Sequence, residues 1–352
     1  MTEPVFIIST GRSGSTALSS CINLHPKLVS LSEMILSVHY NFGISGEEWK
    51  GFEKQIWTGS EFWELLAQKE PIRLAPYEKK GLYNKEILYE RTENTLFNEK
   101  TGLPAIASIT LPHLTDEPDK LYQELEENVP AFPEGSLPQQ YSRLFEWMQQ
   151  RFDGDTCVER SGFSTDAVEY LIDMFPKAKF VFLYRDPREI AVAFNRFQTM
   201  KMGKAILRAM EEIGADPSDP STEAEKLGSY RWLHPDYFEL EQLHQMDMSY
   251  TELGSWISNS LLHAGRVIEG LPETQQHWLR YEDLLKTPER ELERLITFIN
   301  PPSASKEANE QWIKKSVVQI NPKPDTWPEL PEEKRSALEE AAGPALRYLG
   351  YA

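Results

Sequence analysis

Residues 5–18, VFIISTGRSGSTAL, predict a buried strand, a glycine-containing turn and the start of a helix. The apolar run VFII at residues 5–8 has the length of a strand that is covered on both faces. From residue 15 onward, apolar side chains recur on one side of a helix that ends before Pro26. The first N–H groups of such a helix have no intrahelical partner, and the helix dipole favours negative charge there. The sequence therefore predicts a site for a phosphate-like anion at this turn.

The turn differs from the two common nucleotide-binding motifs. The ATP and GTP loop reads GxxxxGK followed by Ser or Thr, whereas here no lysine precedes Ser15 and the basic residue is Arg12, inside the turn. Only two residues separate Gly11 from Gly14, and the GxGxxG dinucleotide fingerprint is absent. An ordinary strand-to-helix turn, with hydroxyl groups that cap the helix, remains an alternative.

The turn resembles the 5′-phosphosulfate loop of the sulfotransferases that use 3′-phosphoadenosine 5′-phosphosulfate (PAPS). Many bacterial and tyrosylprotein-type members read PRSGTT or RSGST there, and this chain reads GRSGST at residues 11–16. Three further segments occur in the order of that family: HPKLVSLSE at residues 25–33, FPKAKFVFLYRDPRE at residues 175–189 and LRYEDLL at residues 279–285. The resemblance covers residues 5–35 and 157–300 well, and the intervening regions poorly.

The apolar patterns and the resemblance predict an α/β fold in which helices flank a P-loop-like parallel sheet. FVFLY at residues 180–184 and HWLRY at residues 277–281 are predicted strands. We expect one domain over residues 1–352, with its core in residues 1–35 and 151–352 and with insertions at about 36–150 and 198–260. The insertions show helical patches without a strand pattern. We expect them to cover the carboxyl edge of the sheet, where open α/β proteins bind ligands.

The composition argues against several classes of partner and cofactor. The chain has 352 residues, of which 40% are hydrophobic, and a net charge of −18, which opposes binding to nucleic acid, acidic polymers or an anionic membrane. Two cysteines, Cys21 and Cys157, make neither a disulfide framework nor a metal site, and no carboxylate cluster has the spacing of metal ligands. No apolar stretch approaches about 18 residues and no basic leader is evident. We therefore expect a cytoplasmic enzyme without a membrane anchor or a metal. The dimer signature of cytosolic animal sulfotransferases, KxxxTVxxxE, is absent, which leaves the oligomeric state open.

The resemblance implies that the turn binds the donor nucleotide. Arg12 would donate two parallel hydrogen bonds to the phosphosulfate and stabilise the leaving phosphate. The backbone of residues 13–16 and the hydroxyl groups of Ser15 and Thr16 would hold the 5′-phosphate. The residues of this implied site are Gly11, Arg12, Ser13, Gly14, Ser15 and Thr16. The alternative for Arg12 is an exposed loop arginine.

At the other end of the nucleotide, the resemblance implies that Arg185 binds the 3′-phosphate. This arginine ends the FVFLY strand and so lies at the ligand edge. The serine that partners it in the family is Ala193 here, which removes a hydrogen bond worth about 1 kcal/mol. The candidates to replace that serine are Asn195, Arg188 and Arg196.

Three further residues resemble family contacts to the nucleotide. They are Tyr281, after the second predicted strand, and Lys323 and Trp327, in the C-terminal segment NPKPDTWPELP. Asp186 is expected to cap the helix that follows Arg185 rather than to bind a metal.

Glu33 is the candidate general base. It follows Arg12 by 21 positions, the separation found in tyrosylprotein-type sulfotransferases, and it lies just past the predicted strand LVSL. A carboxylate at the end of that strand lies at the same sheet edge as the turn, where it can accept the proton of an acceptor hydroxyl. The alternative is a helix-capping or exposed glutamate. Cytosolic members use a histidine instead, for which the candidates are His25, His39 and His113.

Arg160 is the third candidate catalytic residue. It lies where relatives carry a catalytic lysine, 25 residues before Arg185. The resemblance implies that it stabilises the sulfuryl group, with the charge of lysine but a different hydrogen-bonding geometry. An ion pair with Glu159 or another carboxylate is the alternative.

These observations predict a PAPS-dependent sulfotransferase. It would transfer a sulfuryl group to the hydroxyl of a small molecule and release adenosine 3′,5′-bisphosphate (PAP). The acidic net charge favours a neutral acceptor, and the aromatic residues of the insertions suit an apolar, aromatic or sugar hydroxyl unless they belong to the core. A P-loop kinase or NTPase and a non-catalytic nucleotide-binding protein are the two alternatives.

Overall fold

The computed structural model describes residues 3–41, 55–70, 74–84, 86–321 and 325–352. The strands within these ranges are β1 Val5–Ile8, β2 Leu28–Ser32, β3 Ile56–Trp57, β4 Lys69–Glu70, β5 Leu103–Pro104, β6 Gly135–Ser136, β7 Thr156–Arg160, β8 Lys179–Tyr184 and β9 Gln276–Arg280.

Helices make up most of the remaining ordered backbone. The α-helices are α1 Ser15–Ile22, α2 Ile35–Asn41, α3 Gly59–Ala67, α4 Ala75–Glu78, α5 Leu111–Leu114, α6 Pro118–Asn128, α7 Leu137–Arg151, α8 Val168–Met174, α9 Pro187–Asn195, α10 Gln198–Ile213, α11 Leu240–Gln245, α12 Tyr250–Glu269, α13 Tyr281–Lys286, α14 Pro288–Ile299, α15 Lys306–Gln319 and α16 Glu332–Tyr348. A π-helical turn covers Ile106–Thr110, and 3-10 turns cover Val129–Ala131, Ser164–Ala167, Ala224–Leu233 and Trp327–Glu329.

Five strands form a parallel sheet in the order β2-β7-β1-β8-β9. In the centre, Ile7 of β1 pairs with Arg160 of β7 on one side and with Val181 of β8 on the other. The chain first fills the sheet on the β7 side of β1 and later crosses to the β8 side, so the strand order reverses at β1. In open α/β sheets, ligands bind at such a reversal, outside the carboxyl ends of the strands. The predicted α/β class with a parallel sheet is confirmed.

Apolar layers cover both faces of the sheet, as the unbroken apolar run in β1 predicts. Each residue of β1 is at most 1% exposed. Phe6 and Ile8 pack in the layer that contains α8, α9 and α12, whereas Val5 and Ile7 pack in the layer that contains α1 and α14. Each such buried side chain stabilises the fold by about 1.5–3 kcal/mol. The turn that follows β1 is therefore attached to a rigid strand.

The first insertion is mainly helical, but it also contains two short antiparallel ladders. β3 pairs with β6, and β4 pairs with β5. The expectation of an insertion without strands was wrong in this respect, because strands of two residues are too short to show an alternating pattern. Cys21 and Cys157 are buried free thiols. Within the described part of the chain, none of the helices combines the length and the apolar content needed to cross a bilayer.

Gly14 connects the turn to β9 and α13 through a close contact with Tyr281. Its φ is +85°, and a Cβ atom at this position would lie 2.1 Å from Tyr281 Cε2 and 2.4 Å from Cδ2. A side chain here would therefore strain the backbone and push the tyrosine ring out of place.

We predict that Gly14→Ala lowers the free energy of unfolding by roughly 2–4 kcal/mol, the sum of left-handed backbone strain and overpacking. Urea denaturation of wild type and variant measures this difference. The matched control is Gly203→Ala in α10, where an added Cβ meets nothing within 4 Å, so the variant should be neutral or more stable. Equal effects of the two substitutions would contradict the contact with Tyr281.

Candidate active site

The turn after β1 uses a left-handed backbone at three positions. Gly11, Arg12 and Gly14 have φ values of 80°, 54° and 85°. Between them, the Ser13 hydroxyl donates to the carbonyl oxygen of Gly11 at 3.1 Å and lies 3.1 Å from Thr10 Oγ1. Because the Ser13 side chain is buried, its hydroxyl stabilises the turn from inside.

The N-terminus of α1 follows this turn directly. Its N-cap residue, Gly14, makes no side-chain hydrogen bond, and Leu18 N donates to Gly14 O at 3.0 Å. The N–H groups of Ser15, Thr16 and Ala17 therefore have no partner within the helix. All three residues line the same cavity. Together with the helix dipole, these amides have the arrangement that the predicted anion site requires.

That cavity has a volume of about 910 Å³ and is called the edge cavity below. It is lined by residues that follow the carboxyl ends of β1, β2, β7 and β8 and by residues of the first insertion. The charged residues among its described lining are Arg12, Glu33, Glu86, Arg160 and Arg185. No described lining residue comes from 198–260, so the cavity wall on the insertion side belongs to the first insertion.

The Arg12 guanidinium lies in the edge cavity between an acid and an aromatic ring. Its Nη1 donates to Glu86 Oε1 at 3.1 Å, and its Cζ lies 4.9 Å from the centre of the Phe197 ring. The side chain is 36% exposed, and that of Glu86 is 46% exposed. Arg12 is therefore accessible to a ligand that enters the cavity.

Glu33 and Arg160 form an ion pair on the opposite side of the turn. Glu33 has a left-handed backbone, with φ of 56°, and its N–H donates to the carbonyl oxygen of Arg160 at 2.6 Å. Gly162 N donates to Glu33 Oε2 at 2.8 Å, and Arg160 Nη2 donates to Ser32 Oγ at 2.6 Å. The structure thus brings the two predicted catalytic residues into direct contact. The alternative for Arg160, an ion pair with Glu159 or another carboxylate, is also met, with Glu33 and not Glu159 as the partner.

Glu159 lies behind this pair, on the other face of β7. Its side chain is fully buried, and its Oε1 accepts from Ser161 Oγ at 2.5 Å and from Ile35 N at 3.2 Å. Within the described residues, its Oε2 has no hydrogen-bond partner. Burial raises the pKa of the Glu159 carboxyl to about 7. A buried acid therefore supports the backbone beneath the cavity.

Arg185 extends from the end of β8 toward the turn. Its Nη1 donates to the carbonyl oxygen of Arg12 at 3.1 Å, and its Nη2 donates to Glu189 Oε2 at 3.2 Å. The guanidinium lies 5.1 Å from the centre of the Tyr281 ring. Arg185, Tyr281 and Ala193 all line the edge cavity, so the family serine position faces the ligand space but offers no hydroxyl.

The three residues considered as substitutes for that serine are engaged or point elsewhere. Asn195 is buried and exchanges hydrogen bonds of 3.1 Å with the backbone of Met248. Arg188 is bonded to Asp186, which also caps α9 as predicted by accepting from Arg188 N at 2.8 Å. Arg196 is exposed and does not line the edge cavity.

The C-terminal segment is attached to α9 through Glu189. Glu189 Oε1 accepts from the N–H groups of Thr326 and Trp327 at 2.5 and 2.7 Å. The Trp327 ring lies 3.9 Å from the Arg188 guanidinium, and Trp327 does not line the cavity. Lys323, the other predicted contact in this segment, lies outside the described residues.

None of the three histidines considered as bases lines the edge cavity. His39 lies 3.0 Å from the Tyr141 hydroxyl, and burial lowers its pKa to about 3. His113 contacts Ser30 Oγ at 3.1 Å, and burial lowers its pKa to about 4. His25 lies 2.9 Å from Asn309 Oδ1. The carboxylates that do line the cavity, among the described residues, are Glu33 and Glu86.

Sequence reasoning missed two residues that stand out in the cavity, Phe163 and Glu86. Phe163 has a left-handed backbone, with φ of 60°, and its ring stacks on Phe194 with centroids 5.8 Å apart. Its place just beyond the end of β7 was an available signal, because such residues line ligand sites in parallel sheets. Glu86 carries no such signal, since it lies on an irregular stretch far from the turn in sequence.

Backbone strain is concentrated at the cavity. The described non-glycine residues with positive φ are Arg12, Glu33, Asp153, Phe163 and Asn300. Three of them, Arg12, Glu33 and Phe163, line the edge cavity. Residues held in this region of φ cluster at sites where geometry serves a function. The residues with a strained backbone therefore lie in the same cavity as the charged side chains.

A family model described as the sulfotransferase family matches residues 4–304 of the chain. No curated protein matches the sequence. Among solved structures, the sulfotransferase domain from the curacin biosynthetic pathway shares 16% identity, with 100% of this chain and 99% of that chain covered and a TM-score of 0.44. The sulfotransferase domain of the olefin synthase from Synechococcus PCC 7002 shares 14% identity, with coverage of 100% and 97% and a TM-score of 0.44. Sulfotransferase STF1 from Mycobacterium tuberculosis H37Rv shares 12% identity, with coverage of 97% and 76% and a TM-score of 0.41.

At these identities and TM-scores, the likeness to solved structures carries no argument about substrate or mechanism. The family model is different, because it covers most of the chain. The protein therefore belongs to the sulfotransferase family and is a transferase. The predicted membership of the sulfotransferase family is confirmed, while the detailed likeness of the GRSGST turn and the roles of the individual site residues stay predictions.

The buried carboxyl of Glu159 makes stability depend on pH. Its pKa is raised from 4.5 to about 7, so between these values the folded protein holds a proton that the unfolded chain has released. Stability is therefore highest below pH 4.5 with respect to this group and falls as pH rises through about 7. We predict that Glu159→Gln, which carries no charge, gains up to about 3 kcal/mol relative to wild type between pH 4.5 and 8.

Urea denaturation at a series of pH values measures the difference between the two proteins. Other titrating groups cancel in this difference. Glu340→Gln, at an exposed position of α16, is the matched control and should run parallel to wild type. A parallel curve for Glu159→Gln would show that the carboxyl is not held in its neutral form.

Proposed function

We propose that the protein transfers a sulfuryl group from PAPS to the hydroxyl of a small-molecule acceptor and releases PAP. The observation that carries this proposal is the meeting of Arg12, Arg160 and Arg185 with the free amides of α1 in one cavity. The chain as a whole carries a net charge of −18. Three arginines and the unpaired helix amides, gathered at one place in such an acidic chain, favour a polyanionic ligand there.

The turn fits the 5′ end of the donor. The amides of Ser15–Ala17 offer hydrogen bonds to phosphate oxygens, and the Arg12 guanidinium can donate in parallel to phosphate and sulfuryl oxygens. When bound, PAPS supplies an activated sulfuryl group on a phosphate leaving group. Arg12 stabilises the negative charge that develops on that leaving group, which is the main demand of such a transfer.

The other end of the nucleotide fits Arg185 and Tyr281. Arg185 is fixed by its bonds to Glu189 and to the Arg12 carbonyl, so it presents its remaining N–H groups to a 3′-phosphate with little loss of conformational freedom. Because Ala193 offers no hydroxyl, Arg185 carries more of this recognition than its family counterpart. Trp327 does not line the cavity in this structure. Lys323 remains a proposed contact to the nucleotide.

Glu33 is the proposed base. Its Oε2 lies in the cavity next to the Gly162 amide, and the acceptor hydroxyl gives its proton to this carboxylate as its oxygen bonds to sulfur. Arg160 holds Glu33 in place at rest. With the donor present, the Arg160 guanidinium would also bind sulfuryl oxygens, and this would weaken its ion pair with Glu33.

The acceptor side of the cavity favours an uncharged molecule with an apolar body. It is lined by aliphatic residues of the first insertion, by aromatic rings and by a few hydroxyl groups. The members are Leu36, Leu74, Ile87, Leu103, Ile109, Phe163, Phe194 and Phe197, with Ser37, Tyr40 and Ser108. Such a lining binds apolar surface and uses few polar groups to orient it.

We predict that Arg12→Ala lowers sulfuryl transfer at least 100-fold, because the leaving phosphate loses its charged partner. The assay incubates the protein and radiolabelled PAPS with a small-molecule extract of cells, and counts labelled product. Arg208→Ala, at a side chain that is 69% exposed, is the matched control and should label as wild type does. Equal labelling by Arg12→Ala would remove Arg12 from the mechanism.

Thermal stabilisation by ATP with magnesium, and not by PAP, would favour a P-loop kinase or NTPase.

We predict that Glu33→Gln lowers the same transfer by 100-fold or more while the Kd for PAP stays within about twofold of wild type. The amide keeps the shape of the carboxylate but cannot take the proton. Calorimetric titration with PAP shows that the variant is folded and binds the nucleotide. A variant that labels as wild type does would favour a non-catalytic role for Glu33, and the absence of transfer by both proteins would favour a nucleotide-binding protein.

A further inference from the structure

The ion pair between Glu86 and Arg12 raises a problem for donor binding. Glu86 comes from the first insertion, and Arg12 comes from the turn, 74 residues earlier. The proposed function requires that Arg12 contacts the phosphosulfate. The Glu86 carboxylate, however, already accepts a hydrogen bond from the Arg12 guanidinium. Any role of Glu86 in donor binding therefore rests on that proposed function.

The pair is weak enough to exchange its partner. Both side chains are more than a third exposed, at 36% and 46%, and exposed ion pairs contribute little to stability. A polyanionic donor offers more charge, and the amides of α1 hold it in register with Arg12. The donor should therefore bind the Arg12 guanidinium more strongly than the single Glu86 carboxylate does.

The surroundings of Glu86 also favour its release. Burial raises the pKa of the Glu86 carboxyl, the charge of Glu33 acts in the same direction, and Arg12 and Arg160 oppose both. The two arginines therefore offset part of the cost of holding this carboxyl group in the cavity. When a donor binds Arg12, the Glu86 carboxylate loses its ion pair, and movement toward solvent then restores its hydration.

We propose that Glu86 is a displaceable partner of Arg12, which occupies the place of the donor's 5′-phosphate on this arginine until the nucleotide binds. Glu86 is in this sense a positioning residue. It holds the Arg12 side chain in the cavity beside Phe197 and lowers the affinity for the nucleotide.

Glu86 lies next to the acceptor side of the cavity. Its N–H donates to Asn84 Oδ1 at 3.1 Å, and Asn84, Glu86 and Ile87 all line the edge cavity. The partner of Arg12 is therefore adjacent in sequence to Ile87, which belongs to the proposed acceptor lining.

Calorimetric titration with PAP at low salt tests the proposal. Glu86→Ala should lower the Kd for PAP about two- to fivefold, because the competing carboxylate is gone. The gain should shrink at high salt. The matched control is Glu99→Ala, which removes an exposed carboxylate paired with Lys79 outside the cavity and should leave the Kd unchanged. An unchanged or higher Kd for Glu86→Ala would overturn the proposal.

A double-mutant cycle separates displacement from a general effect of charge. In an Arg12→Ala background, Glu86→Ala should no longer change the Kd for PAP, because Glu86 acts through Arg12. The same gain in both backgrounds would overturn the proposal and indicate plain repulsion. Failure of wild type and of every variant to bind PAP would instead reject the proposed function. Binding by wild type with no change in Glu86→Ala would reject only the role of Glu86.

Discussion

The parallel pairing of β1 between β7 and β8 is the constraint on which the site depends. It places the ends of three strands side by side, so that Arg12, Arg160 and Arg185 reach one cavity although they are far apart in sequence. The apolar residues of β1 fix that pairing by filling both faces of the sheet. The charges can then be held close together because the backbone beneath them cannot move apart.

The site concentrates positive charge in an acidic protein and balances it with carboxylates. Arg160 is paired with Glu33, Arg12 with Glu86 and Arg185 with Glu189. Each arginine is thereby oriented before a ligand arrives, which lowers the entropy lost on binding. The three acids differ in their surroundings and in their proposed roles. Glu189 is buried and fixed. Glu33 is proposed to accept a proton, and Glu86 is exposed and proposed to be displaced from Arg12.

The sequence predicts the core of the site because that core is local. The turn at residues 11–16, the strand that ends at Arg185 and the cap at Asp186 follow from apolar runs, glycines and short spacings. Contacts across the chain could not be predicted in this way. The pairing of Glu86 with Arg12, the attachment of Trp327 to Arg188 and the burial of His39 all depend on how the insertions and the C-terminal segment pack, which no short pattern reports.

Glu159 and Arg160 are neighbours on β7, yet one is sealed in the apolar layer and the other faces the cavity. Side chains alternate along a strand, so a slip of one residue in the ladder between β7 and β2 would exchange them. The guanidinium would then be trapped among aliphatic groups, and an acid would stand where a cation is needed. The register of the hydrogen bonds between β7 and β2 therefore also determines whether a positive or a negative side chain faces the cavity.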